Sequence, residues 1–469
     1  MNVSDEFKAG FTNTSVTKHV QIYFYTTSPE WSYTVPEIDV YSDSMLLTEK
    51  LTESENLEFV GCIATKFEID IRDFGVDIKD KNIIAYIYPE GLESQKIQIF
   101  SGVVDEAKLQ SNHKIKRVVA YDELYTKGQK DVSSWYNDLR FPKTLGELRK
   151  SLFTEIGLSC DDTNLPNDTV KIKKKYYNPS NLSAISVIKS ICQINGVFGM
   201  IGRDSKFKFI RLPNIETRIV SGGAFPGETL YPPFYPGIDK LPKPSENLPR
   251  YKTLDYQEYS VSSIDRITVR QNSEDEGITI GGGPNRYIVQ GNIFTYGMSK
   301  NELKTVAIGI SSTVKNVSFT PYSSDNMGLP WLECGENAIR CVVYDFEQSE
   351  EQSTPDNPVD VYSNRTFYVL NRSLKGIQNL KDNYEVQGDK YQRETVTDLG
   401  VNVDIRTTNI KQEVIEEIEG DYYSKDEIDE MLENFEPTTG AWSVESVSSL
   451  PSQGQDNVLY LVQGEVIVD

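Results

Sequence analysis

Five stretches within the first 125 residues alternate apolar and polar side chains with a period of two: 20–26, the series Phe67, Ile69 and Ile71, then 83–88, 96–100 and 115–122. Successive side chains of a strand point to opposite faces, so this alternation commits each stretch to a sheet that is buried on one side and wetted on the other. Gly, Asp and Asn turns separate the stretches, and an antiparallel sheet or barrel is predicted over residues 1–125. The 27 tyrosines, many of them in such segments, fit half-buried strand surfaces better than helical bundles.

Beyond residue 125 the period changes. Thr144 with Glu147 forms a capping box, and Leu145, Leu148, Leu152 and Ile156 fall on one helical face. A second helix runs through "SAISVIKSICQIN" and stops at Gly196, and a hairpin follows around Arg203, Asp204 and Ser205. Residues 126–220 are therefore expected as an α+β inserted domain. Residues 221–250 hold 7 of the 21 prolines, too many for an interior strand, and read as a connector. Strand patterns return over 251–380 as a second β domain, with a helical interlude near 299–314. Residues 381–420 read as a polar linker with a weak helical signal at Ile410, Val414 and Ile418, and 421–469 as a short helix and a small β tail. The fold class expected is mainly β with an α+β insertion.

Charge narrows the function. The chain carries a net −22, and residues 401–469 contribute 16 Asp and Glu against 3 Lys and Arg, a net −13. A general nucleic-acid binder needs basic patches to collect phosphates, which this balance argues against. The first residues have neither a basic region nor an apolar run, and no stretch of 18 apolar residues occurs, so no targeting or membrane-spanning segment is expected. The five cysteines are widely spread without a C-x-x-C pair and are expected to be reduced thiols.

With only His19 and His113, neither an H-E-x-x-H zinc site nor a Cys–His hydrolase has support. "GGGPN" at 281–285 lacks the Lys-Ser/Thr of a phosphate loop and reads as a turn. "DDTNLPND" at 161–168 lacks the central Gly and terminal Glu of a calcium loop and reads as a solvated loop. No catalytic, metal or cofactor residue is expected.

One segment needs a partner. Residues 422–435, "YYSKDEIDEMLENF", open with a Ser424 and Glu427 capping box and place Ile428, Met431, Leu432 and Phe435 on one face. Burying those four side chains contributes about 6–12 kcal/mol at 1.5–3 each. Ordering a dozen backbones costs about 1–2 kcal/mol per residue. Such a helix melts alone.

The stretch "FSGVVDEAKLQSNHKIKRVVAYDELY" (100–125) resembles the N-terminal tube domain of phage tail hub proteins, also called tail-associated or minor structural proteins. Residues 185–212, 285–339 and 370–392 resemble later parts of the same family in the same order. The family is similar to the baseplate hub of contractile-tailed phages. The resemblance implies two β-barrel tube domains per chain, and three chains in a pseudo-sixfold ring joining the hexameric tail tube to threefold tip structures. Expected partners are thus two further copies, tail tube and distal tail or baseplate proteins, a tip, spike or fibre protein at the C-terminal end, and DNA in passage. The expected location is the virion tail tip, after synthesis in the host cytoplasm. Lytic relatives carry a long C-terminal peptidase or lysozyme domain; a short acidic segment stands there in this chain, implying a structural protein and no enzyme. Ile428, Met431, Leu432 and Phe435 then become trimer contacts. The alternative is a tail adhesin that binds or cleaves a host surface glycan with its aromatic surface and a carboxylate pair.

Overall fold

The computed structural model describes residues 3–41, 43–52, 61–173, 178–213, 244–247, 251–256, 261–262, 264–272, 274–282, 286–314, 320–336, 338–344, 349, 352–354, 357–358, 362–388, 403–404, 443–447 and 458–462. In 244–262, 320–321, 338–344, 362–366, 387–388 and beyond 403 the description is of backbone alone. Two units divide the chain, Met1–Ile410 and Lys411–Asp469.

The first unit opens with α1 (Asp5–Thr12), capped by Ser4, whose hydroxyl accepts from the Phe7 N–H. Six strands follow, β2 and β3 lying outside the stretches that the alternation picked out: β1 (Lys18–Thr27), β2 (Glu30–Thr34), β3 (Leu46–Lys50), β4 (Lys66–Arg72), β5 (Asn82–Pro89) and β6 (Ile97–Leu109). The run closes with β7 (Ile115–Tyr121). Burial alternates residue by residue along β1 and β5, with Val20, Ile22, Phe24, Ile83, Ala85 and Ile87 on the inner face. All these pairings are antiparallel, in the order β3, β4, β7, β6, β5, β1, β2.

Next come α2 (Glu123–Gly128), α3 (Ser133–Asp138), β8 (Lys143–Thr144), α4 (Leu145–Ile156), β9 (Lys171–Ile172) and α5 (Ala184–Asn195), then the hairpin β10 (Phe198–Ile201) and β11 (Phe207–Ile210). Asp122 caps α2: its carboxylate accepts from Leu124 N at 2.9 Å and from Thr65 N at 2.7 Å. Full burial pushes its pKa up to about 7. The Thr144 and Glu147 capping box forms as read, and Gly157 and Gly196 end α4 and α5 at φ 67° and 65°. In that left-handed region a side chain would be strained, so glycine stops the helix at little cost.

The remaining strands of this unit are β12 (Pro244–Asn247), β13 (Tyr251–Tyr256), β14 (Val261–Ser262), β15 (Arg266–Val269), β16 (Ile278–Gly281) and β17 (Arg286–Val289). After α6 (Lys300–Val314) come β18 (Thr320–Met327), β19 (Ala338–Tyr344), β20 (Tyr362–Lys375), β21 (Lys381–Gly388) and β22 (Val403–Asp404). In the second unit β23 (Ser443–Val447) and β24 (Val458–Val462) pair in parallel.

The chain is mainly β, as expected. The large sheet continues past β3 through β20, β21 and β18 to β13, and its end strands β2 and β13 do not pair with each other among the described residues. Residues 381–388, read from sequence as the start of a polar linker, form β21 instead. The reason is that Asp382, Tyr384 and Val386 all point inward, and the first of these conceals the alternation because it is charged. One core lies between the faces of the large sheet and holds Phe24, Phe67, Ile69, Phe100, Trp331 and Tyr384. Phe7 and Phe11 of α1 close it, edge-on to Trp331 at 6.3 and 6.0 Å. A second core joins α4, α5, β10 and β11 to β15, β17 and α6, so residues 264–314 pack with the α+β region.

Candidate functional site

The feature with the most buried chemistry is the place where the N-terminal strands meet the later ones. β20 is long enough to serve two ladders. Its residues Tyr362–Tyr368 pair with β19, and Asn371–Lys375 pair with β3. Tyr368 pairs at once with Ala338 of β19 and Gln387 of β21, so β19 and β3 share the edge opposite β21. A register shift between Val369 and Asn371 marks the handover. There the Leu370 carbonyl accepts from Leu51 N at 3.1 Å. The Asn371 side-chain oxygen also accepts from Leu51 N, at 2.9 Å, and from Thr52 N at 3.3 Å.

Charges are sealed beneath this handover. Arg372 of β20 donates from Nε and Nη2 to the two oxygens of Asp382 at 2.7 and 2.8 Å, a bidentate pair with no solvent exposure on either side chain. Its Nη1 lies 3.3 Å from Glu49 Oε2 and also donates to the Leu332 carbonyl, and Nη2 reaches the Leu329 carbonyl at 2.8 Å. Asp382 accepts further from Tyr384 OH at 2.6 Å and Leu329 N at 2.8 Å. Arg203, from the β10–β11 turn, donates to Glu49 at 3.2 Å, to the Leu332 carbonyl at 2.7 Å and to the Pro330 carbonyl. Burial opposes the Arg372 charge, but Asp382, Tyr384 and Glu49 outweigh it and push its pKa up. Burial, reinforced by Asp382, pushes the Tyr384 hydroxyl well above its ordinary range, so it remains a donor. The cluster ties β3, β20, β21, the 329–332 loop and the β10–β11 turn together.

The outward face of the N-terminal sheet is aromatic. His19, Tyr23 and Tyr25 on β1, Tyr86 and Tyr88 on β5 and Tyr121 on β7 are half-buried there. His19 stacks on Tyr88 at 5.1 Å, Tyr121 on Tyr125 at 4.6 Å, and Lys96 lies over Tyr86 at 5.2 Å.

Sequence candidates fall as follows. Ile428, Met431, Leu432 and Phe435 lie outside the described residues. Cys62, Cys160, Cys192 and Cys334 are free thiols. Gly281, the last residue of β16, has φ 83°, and residues 283–285 of the stretch read as a turn lie outside the described residues. The 161–168 loop, read as solvated, is anchored: Arg149, 3% exposed, donates to Asp168 at 2.6 Å, and Asn167 N–H donates to Asn195 at 3.0 Å. Among the described residues no group of three or more His, Cys, Asp or Glu is placed to hold a metal ion, and no helix is long and apolar enough to cross a membrane.

No family model and no curated protein matches the chain. Solved structures do. A tail protein from Neisseria meningitidis is 9% identical with a TM-score of 0.41, covering 79% of this chain and 96% of that one. A 43 kDa tail protein of prophage MuSo2 from Shewanella oneidensis is 9% identical with a TM-score of 0.43, covering 79% and 97%. The phage P2 baseplate in its activated conformation contains a chain 10% identical with a TM-score of 0.25, covering 80% and 100%. These three neighbours are tail and baseplate proteins.

Proposed function

We propose that the chain is a structural hub protein of a phage or phage-like tail tip. In this reading three copies form a pseudo-sixfold ring, each contributing two β-barrel-like tube units, and the ring joins the tail tube to the threefold tip and lets DNA pass. The observation that carries the proposal is the shared strand β20. It fuses an N-terminal β unit and a second β unit within one chain, and the buried Arg372, Asp382, Glu49 and Arg203 hold them in one arrangement. In this reading the two units of each protomer supply alternate positions of the ring, which is how three chains match sixfold symmetry. The chain acts without hydrolytic activity of its own.

Light scattering on the full chain tests this, with an expected mass three times the 53.1 kDa of one chain. Electron micrographs should show rings with a central channel. A monomer at every concentration, with no ring on purified tail tubes, overturns the proposal. The aromatic outer face favours the alternative, a glycan-binding adhesin. Saturable binding or a lytic band on host cell walls, lost on mutation of one carboxylate, would replace the hub reading with it.

A further inference from the structure

Cys62 and Cys192 lie 130 residues apart in the chain, yet their Sγ atoms are in contact at 3.5 Å. Cys62 stands just before β4 and forms a one-residue bridge to Gly199 of β10, while the Gly61 carbonyl accepts from Gly199 N at 2.9 Å. Gly199 makes room for the sulfur, since a Cβ there would sit 2.7 Å from Cys62 Sγ and 2.3 Å from the Phe207 ring. Cys192 faces it from α5 and has no exposure, whereas Cys62 keeps 7%. A disulfide bond is about 2.0 Å long, so the sulfurs need to close by roughly 1.5 Å, within reach of a side-chain rotation.

We infer that Cys62 and Cys192 are a thiol modification site, which a small-molecule disulfide converts into an intrachain cross-link between the segment entering β4 and helix α5. The Cys62 thiolate attacks one sulfur of the oxidant, forms a mixed disulfide and releases one thiolate. Cys192, as its thiolate, then attacks Cys62 Sγ, forms the Cys62–Cys192 bond and releases the second thiolate. Both protein thiols give their protons to solvent, and the two electrons reduce the oxidant to two thiols. Exposure sets the order: of the two residues only Cys62 keeps any, at 7%. Burial pushes the Cys192 thiol well above its ordinary range, so the second step is slow. The bond would fasten the N-terminal strands to the α+β region.

The test is incubation of the full chain with glutathione disulfide, alkylation of the remaining thiols, and non-reducing peptide mapping by mass. The expected product is a Cys62–Cys192 peptide lighter by two hydrogens, absent from Cys62→Ser. Cys192→Ala should stop at glutathione on Cys62, and this keeps the test valid if Cys62→Ser fails to fold. Alkylation of both cysteines after prolonged oxidation, or a Cys160–Cys192 link in place of theirs, overturns the inference.

Discussion

Replacing Asp382 with Ala is the sharpest test of the strand junction. The substitution leaves the Arg372 guanidinium without exposure, deprived of both short bonds at 2.7 and 2.8 Å and left with Glu49 at 3.3 Å as its nearest acid. Tyr384 OH and Leu329 N lose their acceptor in the same stroke. Removing one partner of a buried ion pair costs about 3–5 kcal/mol, because the remaining charge stays desolvated. That is a large part of the roughly 5–15 kcal/mol that holds a typical domain together. Urea unfolding followed by tryptophan fluorescence reads it, since Trp331 is 2% exposed in the same core. The Asp382→Ala transition should move to markedly lower urea. Arg372→Met with Asp382→Leu should lose much less than the two single changes added together, because no charge is left unpaired. A loss below about 1 kcal/mol, the range of an exposed pair, would refute the account. So would a double variant as unstable as the sum.

Three further outcomes follow from other parts of the chain. Burial raises Asp122 to about 7 in the folded protein, against about 3.9 unfolded; between those values the folded state holds a proton that the unfolded chain has released. The Asp122 contribution is therefore full below about pH 4 and is lost as pH rises through 7, with a slope of up to about 1.4 kcal/mol per pH unit, and comparing thermal unfolding of Asp122→Asn with the parent across that window should show the slope removed. Gly199→Ala forces a Cβ against the Phe207 ring at 2.3 Å and should cost about 1–3 kcal/mol in denaturant unfolding. If residues 422–435 form the trimer contact that the hub proposal calls for, Ile428→Asp with Leu432→Asp places charges in it, and a trimer should keep its mass in light scattering but become protease-sensitive between residues 410 and 440; an unchanged digestion pattern removes that segment from the proposed interface.

What could be read from the sequence was local. The Thr144 and Glu147 box, the stop at Gly196 and the β10–β11 hairpin depend on neighbours within a few positions, and each stands where spacing put it. The pairing of β3 with β20 joins residues more than 300 positions apart, and no local pattern encodes it. The charged cluster did leave a trace: Glu49 is in phase with Leu47 and Leu51, Arg372 with Leu370 and Leu374, and Asp382 with Tyr384 and Val386. Each is a charge at the inward position of an alternating strand. A charge in that register must meet a partner from another strand, and the sequence does not say which. The same disguise hid β21. Short α1 was missed because its cap, Ser4, and its two core rings, Phe7 and Phe11, precede any periodic run.

A strand that serves two ladders cannot behave as a hinge. Turning one β unit against the other would have to strip Asn371–Lys375 from β3, or break the β21 ladder that runs along the same stretch of β20. A pull delivered to the N-terminal strands would therefore pass lengthwise into β20 and load several hydrogen bonds in shear at once, where a peptide linker would take it at a single point. The handover at Leu370 works as a splice between two ropes. Force or torque entering β3 passes into β20 and on to β21 through ladders that share residues 371–375.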